Sequence, residues 1–162
     1  SAIVNGVSAK LHEETFRYVA VLDGDDVRTF LSSELGFSKE HRDLNIQRIG
    51  YVAGLVSGAG GIALTAAIAP YNKAREAARE LVTQNRGDFV EVFVNADVET
   101  CENRDVKGLY KAAREGKIPQ FTGISDPYEI PENPDLEINT CDMSVTESVD
   151  AVIEYLKEKK YI

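Results

Sequence analysis

The stretch Asp23-Gly24-Asp25-Asp26-Val27-Arg28 puts acids and a base where a strand gives way to a helix. Asp25 and Arg28 are three apart, so they share one helical face. A carboxylate there can hold Mg²⁺ through water or take the proton of an attacking hydroxyl. The same residues also suit a plain strand-ending turn with an aspartate cap. Arg42, Asn45 and Arg48 recur every three residues and form a polar stripe opposite the apolar stripe of their helix. Two guanidiniums and an amide in a row fit an oxyanion such as sulfate or phosphate. Phe37, after Leu35-Gly36, suits stacking on a base or sugar. A solvated helix face beside a core phenylalanine has the same pattern.

A third stretch carries Arg104, Lys107, Lys111 and Arg114, followed by Phe121-Thr122-Gly123. Basic residues ahead of a glycine-bearing loop suit a lid over phosphates, with Lys107 a point charge for a transferring phosphoryl group. An ordinary solvated basic helix reads the same way. The fourth is Ala69-Pro70-Tyr71, which follows a strand and also suits a helix start with proline in its first turn. His12 and His41 stand isolated, and no His, Cys and Asp grouping suggests a metal cage or a nucleophile triad.

These residues need elements to position them, and the pattern alternates helix and strand. Val4, Val7 and Leu11 predict a helix over 2–14, and Tyr18–Leu22 reads as a buried strand. Helices are expected over 26–34, 39–58 and 71–84, with strands Ile62–Ala67 and Phe89–Val94 between and after them. Two short helices, over 97–103 and 107–115, precede a long loop over 116–135. Leu136–Asn139 reads as a last short strand, and Ser144 with Glu147 forms a capping box that opens the final helix. Strands separated by helices imply an α/β fold, a parallel sheet with helices on both faces. Three successive strands end in polar or turn-forming residues on one edge, where open sheets of this kind bind ligands. With the basic loop, that favours phosphoryl transfer over a structural role. The chain opens in a helix, whereas such sheets begin with a strand, so a first strand is expected ahead of Ser1.

Composition narrows the classes. The 162 residues make one domain. The charge is −9, from 18 Lys+Arg against 27 Asp+Glu, which argues against nucleic acid as a partner but permits a basic pocket for a small anion. No apolar run approaches a membrane span, and no secretory leader is visible. Cys101 and Cys141 fit neither a metal nor a disulfide framework, which suits a reducing cytoplasmic setting.

At five places the chain resembles adenylylsulfate kinase (APS kinase). They are Asp23 to Arg28, Leu35 to Arg48, Ala69-Pro70-Tyr71, Asp105 to Lys111, and Phe121 to Glu129, in family order from residue 1 to 162. The resemblance implies a three-layer P-loop kinase fold. It implies an enzyme that uses MgATP to phosphorylate the 3′-hydroxyl of adenosine 5′-phosphosulfate (APS), giving PAPS and ADP. It implies Asp25 near the acceptor hydroxyl and Mg²⁺, with Lys107 facing APS and the phosphates from a lid over about 105–128. Arg28, Phe37, Arg42, Asn45, Ile68, Ala69, Gln120 and Phe121 match the APS-binding set, with Phe37 and Phe121 sandwiching the adenine. Ser1, Arg104 and Cys141 match positions near ATP, and Ser1 falls at the last position of the family's phosphate loop and so near the metal. Relatives are often homodimers, and some are fused to ATP sulfurylase.

Departures accompany the match. The loop G-x-x-x-x-G-K-[ST] and the central strand before it are not in the sequence, which would leave two flanking strands with unpaired backbone groups. Ala69 stands where many relatives have serine, which leaves direct transfer as the route. Asp26 adds a charge, and Pro119-Gln120 replaces a usual Lys-Gly in the lid. The alternative implied is a non-catalytic APS- or PAPS-binding regulatory domain attached to ATP sulfurylase. Ser32 to Phe37 and Asn45 to Ile49 resemble that version, while Lys107 to Lys111 resembles the enzyme. Apart from any resemblance, the residues also suit another small-metabolite P-loop kinase.

Overall fold

The computed structural model describes residues 2–96, 109–115 and 128–162. In chain order it holds α1 (Ala2–Glu14), β1 (Val19–Asp23), α2 (Gly24–Phe30), α3 (Lys39–Gly58), β2 (Ile62–Ala66) and α4 (Asn72–Gln84). Then come β3 (Val92–Asn95), α5 (Leu109–Arg114), β4 (Leu136–Asn139) and α6 (Val145–Glu158). The short helix expected over 97–103 lies outside the described residues, as does most of the stretch 105–128.

Both strand pairs are parallel. Val19 lies opposite Ile62 and Asp23 opposite Ala66, while Val92 lies opposite Leu136 and Asn95 opposite Asn139. Parallel partners need a crossover, and α2 with α3 supplies the first. Among the described residues the strands do not form one continuous sheet: β1 with β2 and β3 with β4 are separate two-stranded sheets. One apolar cluster nevertheless unites them. Val7 and Leu11 of α1, Val19, Ile138, and Val149, Val152 and Ile153 of α6 are buried together, with Ile62, Leu64, Val92 and Leu136 packed against them. A second cluster joins α2, α3 and α4 through Val27, Ile46, Ile49, Tyr71, Ala74 and Ala78. Here α3 approaches α4 so closely that a Cβ at Gly50 would lie 2.9 Å from the Ala78 Cα. The glycine costs helix propensity, about 1 kcal/mol against alanine, in exchange for that contact.

Several boundaries differ from the sequence pattern for local reasons. α2 begins at Gly24 because the Asp23 carboxylate accepts the Asp25 N–H at 3.0 Å, and it ends at Phe30 rather than 34. β3 begins at Val92, not Phe89. Phe89 packs instead on the second cluster, and the Glu91 carbonyl accepts from the Asp135 and Leu136 amides at 2.9 and 3.2 Å. The capping box is present: the Ser144 hydroxyl accepts the Glu147 N–H at 3.1 Å, and the Glu147 carboxylate accepts the Ser144 N–H at 3.2 Å. Among the described residues, no helix is long and apolar enough to cross a membrane.

Candidate active site

The carboxyl edge of the β1–β2 pair carries most of the residues singled out from sequence. β1 ends at Asp23, which caps α2, and α2 displays Asp25 in its exposed first turn with Arg28 one turn further on. Arg28 reaches back to the segment that follows. Its guanidinium donates to the Gly36 carbonyl at 2.7 Å and to the Leu35 carbonyl at 3.3 Å, and it lies 4.6 Å from the centroid of the Phe37 ring. Phe37 thus has one face on a cation and remains 61% exposed.

On α3 the solvated-face alternative is overturned for two of three residues. Arg42 is 7% exposed and Asn45 5% exposed. Arg48 leaves the stripe and pairs with Glu34, donating also to the Leu31 carbonyl at 3.0 Å. Burial, and then the nearby charge of Arg42, hold the Arg28 guanidinium below its ordinary value. Two cations brought together and partly desolvated favour an anion between or beside them. Among the described residues, the Asn45 Oδ1 and the Ser32 hydroxyl are buried without a hydrogen-bond partner, a kind of orphan that calls for an explanation.

β2 contributes the adjoining wall. Asp23 and Ala66 are paired in register, and a Cβ at Gly24 would lie 3.3 Å from the Ala66 carbonyl oxygen. Ile68 is 63% exposed just beyond, and Ala69 sits in the left-handed region with φ of 45°. That conformation is unfavourable for alanine and needs support. Arg75 gives it: its guanidinium donates to the Ala69 carbonyl at 2.5 Å, to the Glu129 carbonyl at 2.7 Å and to the Asn72 side chain. Glu129 returns the tie. Its carboxylate accepts the Asn72 N–H at 2.8 Å, and its own N–H donates to the Pro70 carbonyl at 2.7 Å. Since Tyr71 provides no side-chain cap, α4 is capped from a residue far along the chain.

Asp25, Arg28, Phe37, Arg42, Asn45, Ile68 and Ala69 therefore belong to one edge of one strand pair and the helices that follow it. Cys141 lies just past β4, on the other pair, exposed, with its N–H donating to the Asn139 side chain at 3.0 Å. Ser1, Arg104, Lys107, Gln120 and Phe121 lie outside the described residues. Among the described residues no three His, Cys, Asp or Glu side chains group as a metal cage. A single exposed carboxylate such as Asp25 suits Mg²⁺, which keeps several waters and binds through one or two carboxylates plus substrate phosphates. The parts played by Arg75 and Glu129 were not visible in the sequence, because they act across a long separation.

Comparison with known proteins gives a consistent picture. A family profile described as adenylylsulphate kinase matches residues 1–139. The adenylyl-sulfate kinase of Halothermothrix orenii is 52% identical over 100% of this chain and 85% of that protein. That of Staphylococcus epidermidis is 50% identical over 96% of this chain and 79% of its own length. The solved structure of the Mycobacterium tuberculosis APS kinase in complex with AMPPNP and APS superposes with a TM-score of 0.90. It is 40% identical, covering 96% of this chain and 89% of that one.

Proposed function

The chain belongs to the adenylylsulphate kinase family, and from that premise we propose how it makes PAPS from APS and ATP. The 3′-oxygen of APS attacks the γ-phosphorus of ATP. A new P–O bond forms there, the bond to the β-phosphate oxygen breaks, and ADP leaves with that electron pair. Asp25, exposed at the first turn of α2, takes the proton of the hydroxyl. Arg28 and Arg42 bind the phosphosulfate charge, with Asn45 beside them. Phe37 stacks on the adenine, and Ile68 with Ala69 adds a further contact to APS. Such transfer depends mainly on positioning and electrostatic stabilisation, so the half-buried Arg28 and buried Arg42 matter more than covalent chemistry.

The observation that carries this reading is the Arg28 guanidinium against the exposed Phe37 ring, with Arg42 and Asn45 buried on the adjoining helix, on the strand edge that also bears Asp25. Asp25 also suits Mg²⁺, which supplies charge neutralisation on the ATP phosphates when bound. Lys107, Gln120 and Phe121 on the APS side, and Ser1, Arg104 and Cys141 on the ATP side, complete the proposal on family likeness alone. So do a cytoplasmic location and self-association as a homodimer. The non-catalytic regulatory alternative is not favoured, since the curated relatives at about half identity carry the kinase name.

A steady-state assay of the full-length protein with APS and MgATP tests the reading. Equimolar ADP and PAPS are expected. Tight APS binding without turnover would favour the regulatory alternative instead.

A further inference from the structure

The segment carrying Phe37 lies between α2 and α3 and belongs to no helix or strand. Its conformation is held by side chains. Arg28 takes the carbonyls of Leu35 and Gly36 from the α2 side. From α3, the Nδ1 of His41 accepts the Gly36 N–H at 2.7 Å. The backbone of His41 ties in as well, since its own N–H donates to the Ser38 hydroxyl at 3.2 Å. Gly36 is thus bonded on both its carbonyl and its amide, immediately before the ring.

We propose that His41 is a positioning residue for APS binding, whose neutral imidazole fixes the Gly36 amide and so aims the Phe37 ring. The inference rests on the reading of Phe37 as an APS contact and adds to it the residue that sets its orientation.

The geometry dictates the tautomer. A ring nitrogen that accepts a hydrogen bond carries no proton, so the imidazole proton sits on Nε2. Protonating the ring places a hydrogen on Nδ1, directly against the Gly36 N–H. Two donors then face one another, and the bond is lost. The surrounding charge does not offset this. Arg28 approaches the same glycine from α2, and Arg42 follows His41 on α3. Glu34 is the nearby acid, but its carboxylate is engaged by Arg48, which holds it below the usual carboxylate range.

The test is the KM for APS and the KM for ATP of the full-length enzyme, for wild type and three variants, with thermal melts alongside. His41→Ala removes the acceptor and is expected to raise the KM for APS about five- to tenfold, leaving the KM for ATP unchanged. His41→Asn can place its side-chain oxygen where Nδ1 stood and so restore the acceptor. It is expected to keep the wild-type KM for APS. Phe37→Ala reports on the underlying reading and is expected to raise the KM for APS at least as much as His41→Ala. If Phe37→Ala raises it and His41→Ala does not, the inference fails alone. If neither changes it, the assignment of Phe37 fails as well. Equal rises in both KM values for His41→Ala, or a KM for APS that rises as far in His41→Asn as in His41→Ala, would also overturn the inference. His41→Asn carries the test if His41→Ala melts below the assay temperature.

Discussion

The side of the molecule formed by α1, α6 and the faces of the strands is apolar apart from Ser148, whose hydroxyl is satisfied by the Ser144 carbonyl at 2.8 Å. Leu11 and Ile138 are wholly buried there, among Val7, Val19, Val149, Val152 and Ile153. The side formed by α2, α3 and α4 is also packed, yet it buries Arg42, Asn45, Arg75 and Ser32 among its hydrophobic residues. Among the described residues it leaves polar atoms of Ser32, Asp43 and Asn45 without hydrogen-bond partners, and it holds Ala69 at a positive φ. Each of these features costs stability, and they fall on the side that carries the candidate site. The first side holds the fold together, while the second spends some of that stability on a charged, aromatic surface for a ligand.

If that division is correct, substitutions on the two sides separate activity from stability. Asp25→Asn is the sharpest case. It is expected to lower kcat by about 10²- to 10⁴-fold, the range for losing a general base, with the melting temperature little changed. A large drop in melting temperature would break the division. Leu11→Ala is the converse. Emptying a fully buried site on the apolar side is expected to cost about 2–5 kcal/mol in denaturant unfolding, with the KM for APS of the folded enzyme unchanged.

Glu129→Ala probes the join between local order and the site. Removing the cap on α4 is expected to cost about 1 kcal/mol and, by loosening the Pro70–Asn72 segment beside Ala69, to raise the KM for APS more than that for ATP. Equal effects on both would reduce Glu129 to a purely structural role.

Glu34 gives the smallest effect. Its hydrogen bond from Arg48, followed by a backbone hydrogen bond, holds the carboxyl below its ordinary value. A depressed carboxylate contributes stability above its unfolded value, and that contribution is lost as pH falls through the folded one. Because the group is exposed, Glu34→Gln is expected to shift the acid limb of thermal stability slightly at low salt and not at high salt.

Much of the fold was legible in the chain. α3 runs from Lys39 to Gly58 as its apolar spacing and terminal glycines predict, and the Ser144–Glu147 box opens α6. Such features are local, set by caps and by 3.6-residue periodicity. The site was legible in residue type but not in environment. A three-residue spacing of Arg42, Asn45 and Arg48 describes a solvated stripe and a buried one equally well, and packing against neighbouring elements decides which forms. The tie of Arg75 to Ala69 and Glu129 joins residues far apart in the chain, and a positive φ at an alanine has no sequence signature. The separation of the strands into two parallel pairs was likewise not readable from their individual patterns.

The claim that APS sits on the α2–α3 side is tested most directly by titrating APS into isotope-labelled protein and following backbone amide resonances. The account predicts that shifts concentrate in Gly24–Arg28, Leu35–Asn45 and Ile68–Asn72. Resonances of α1 and α6 would stay in place. Shifts centred on the groove between α1 and α6, or no shifts at saturating APS, would contradict it.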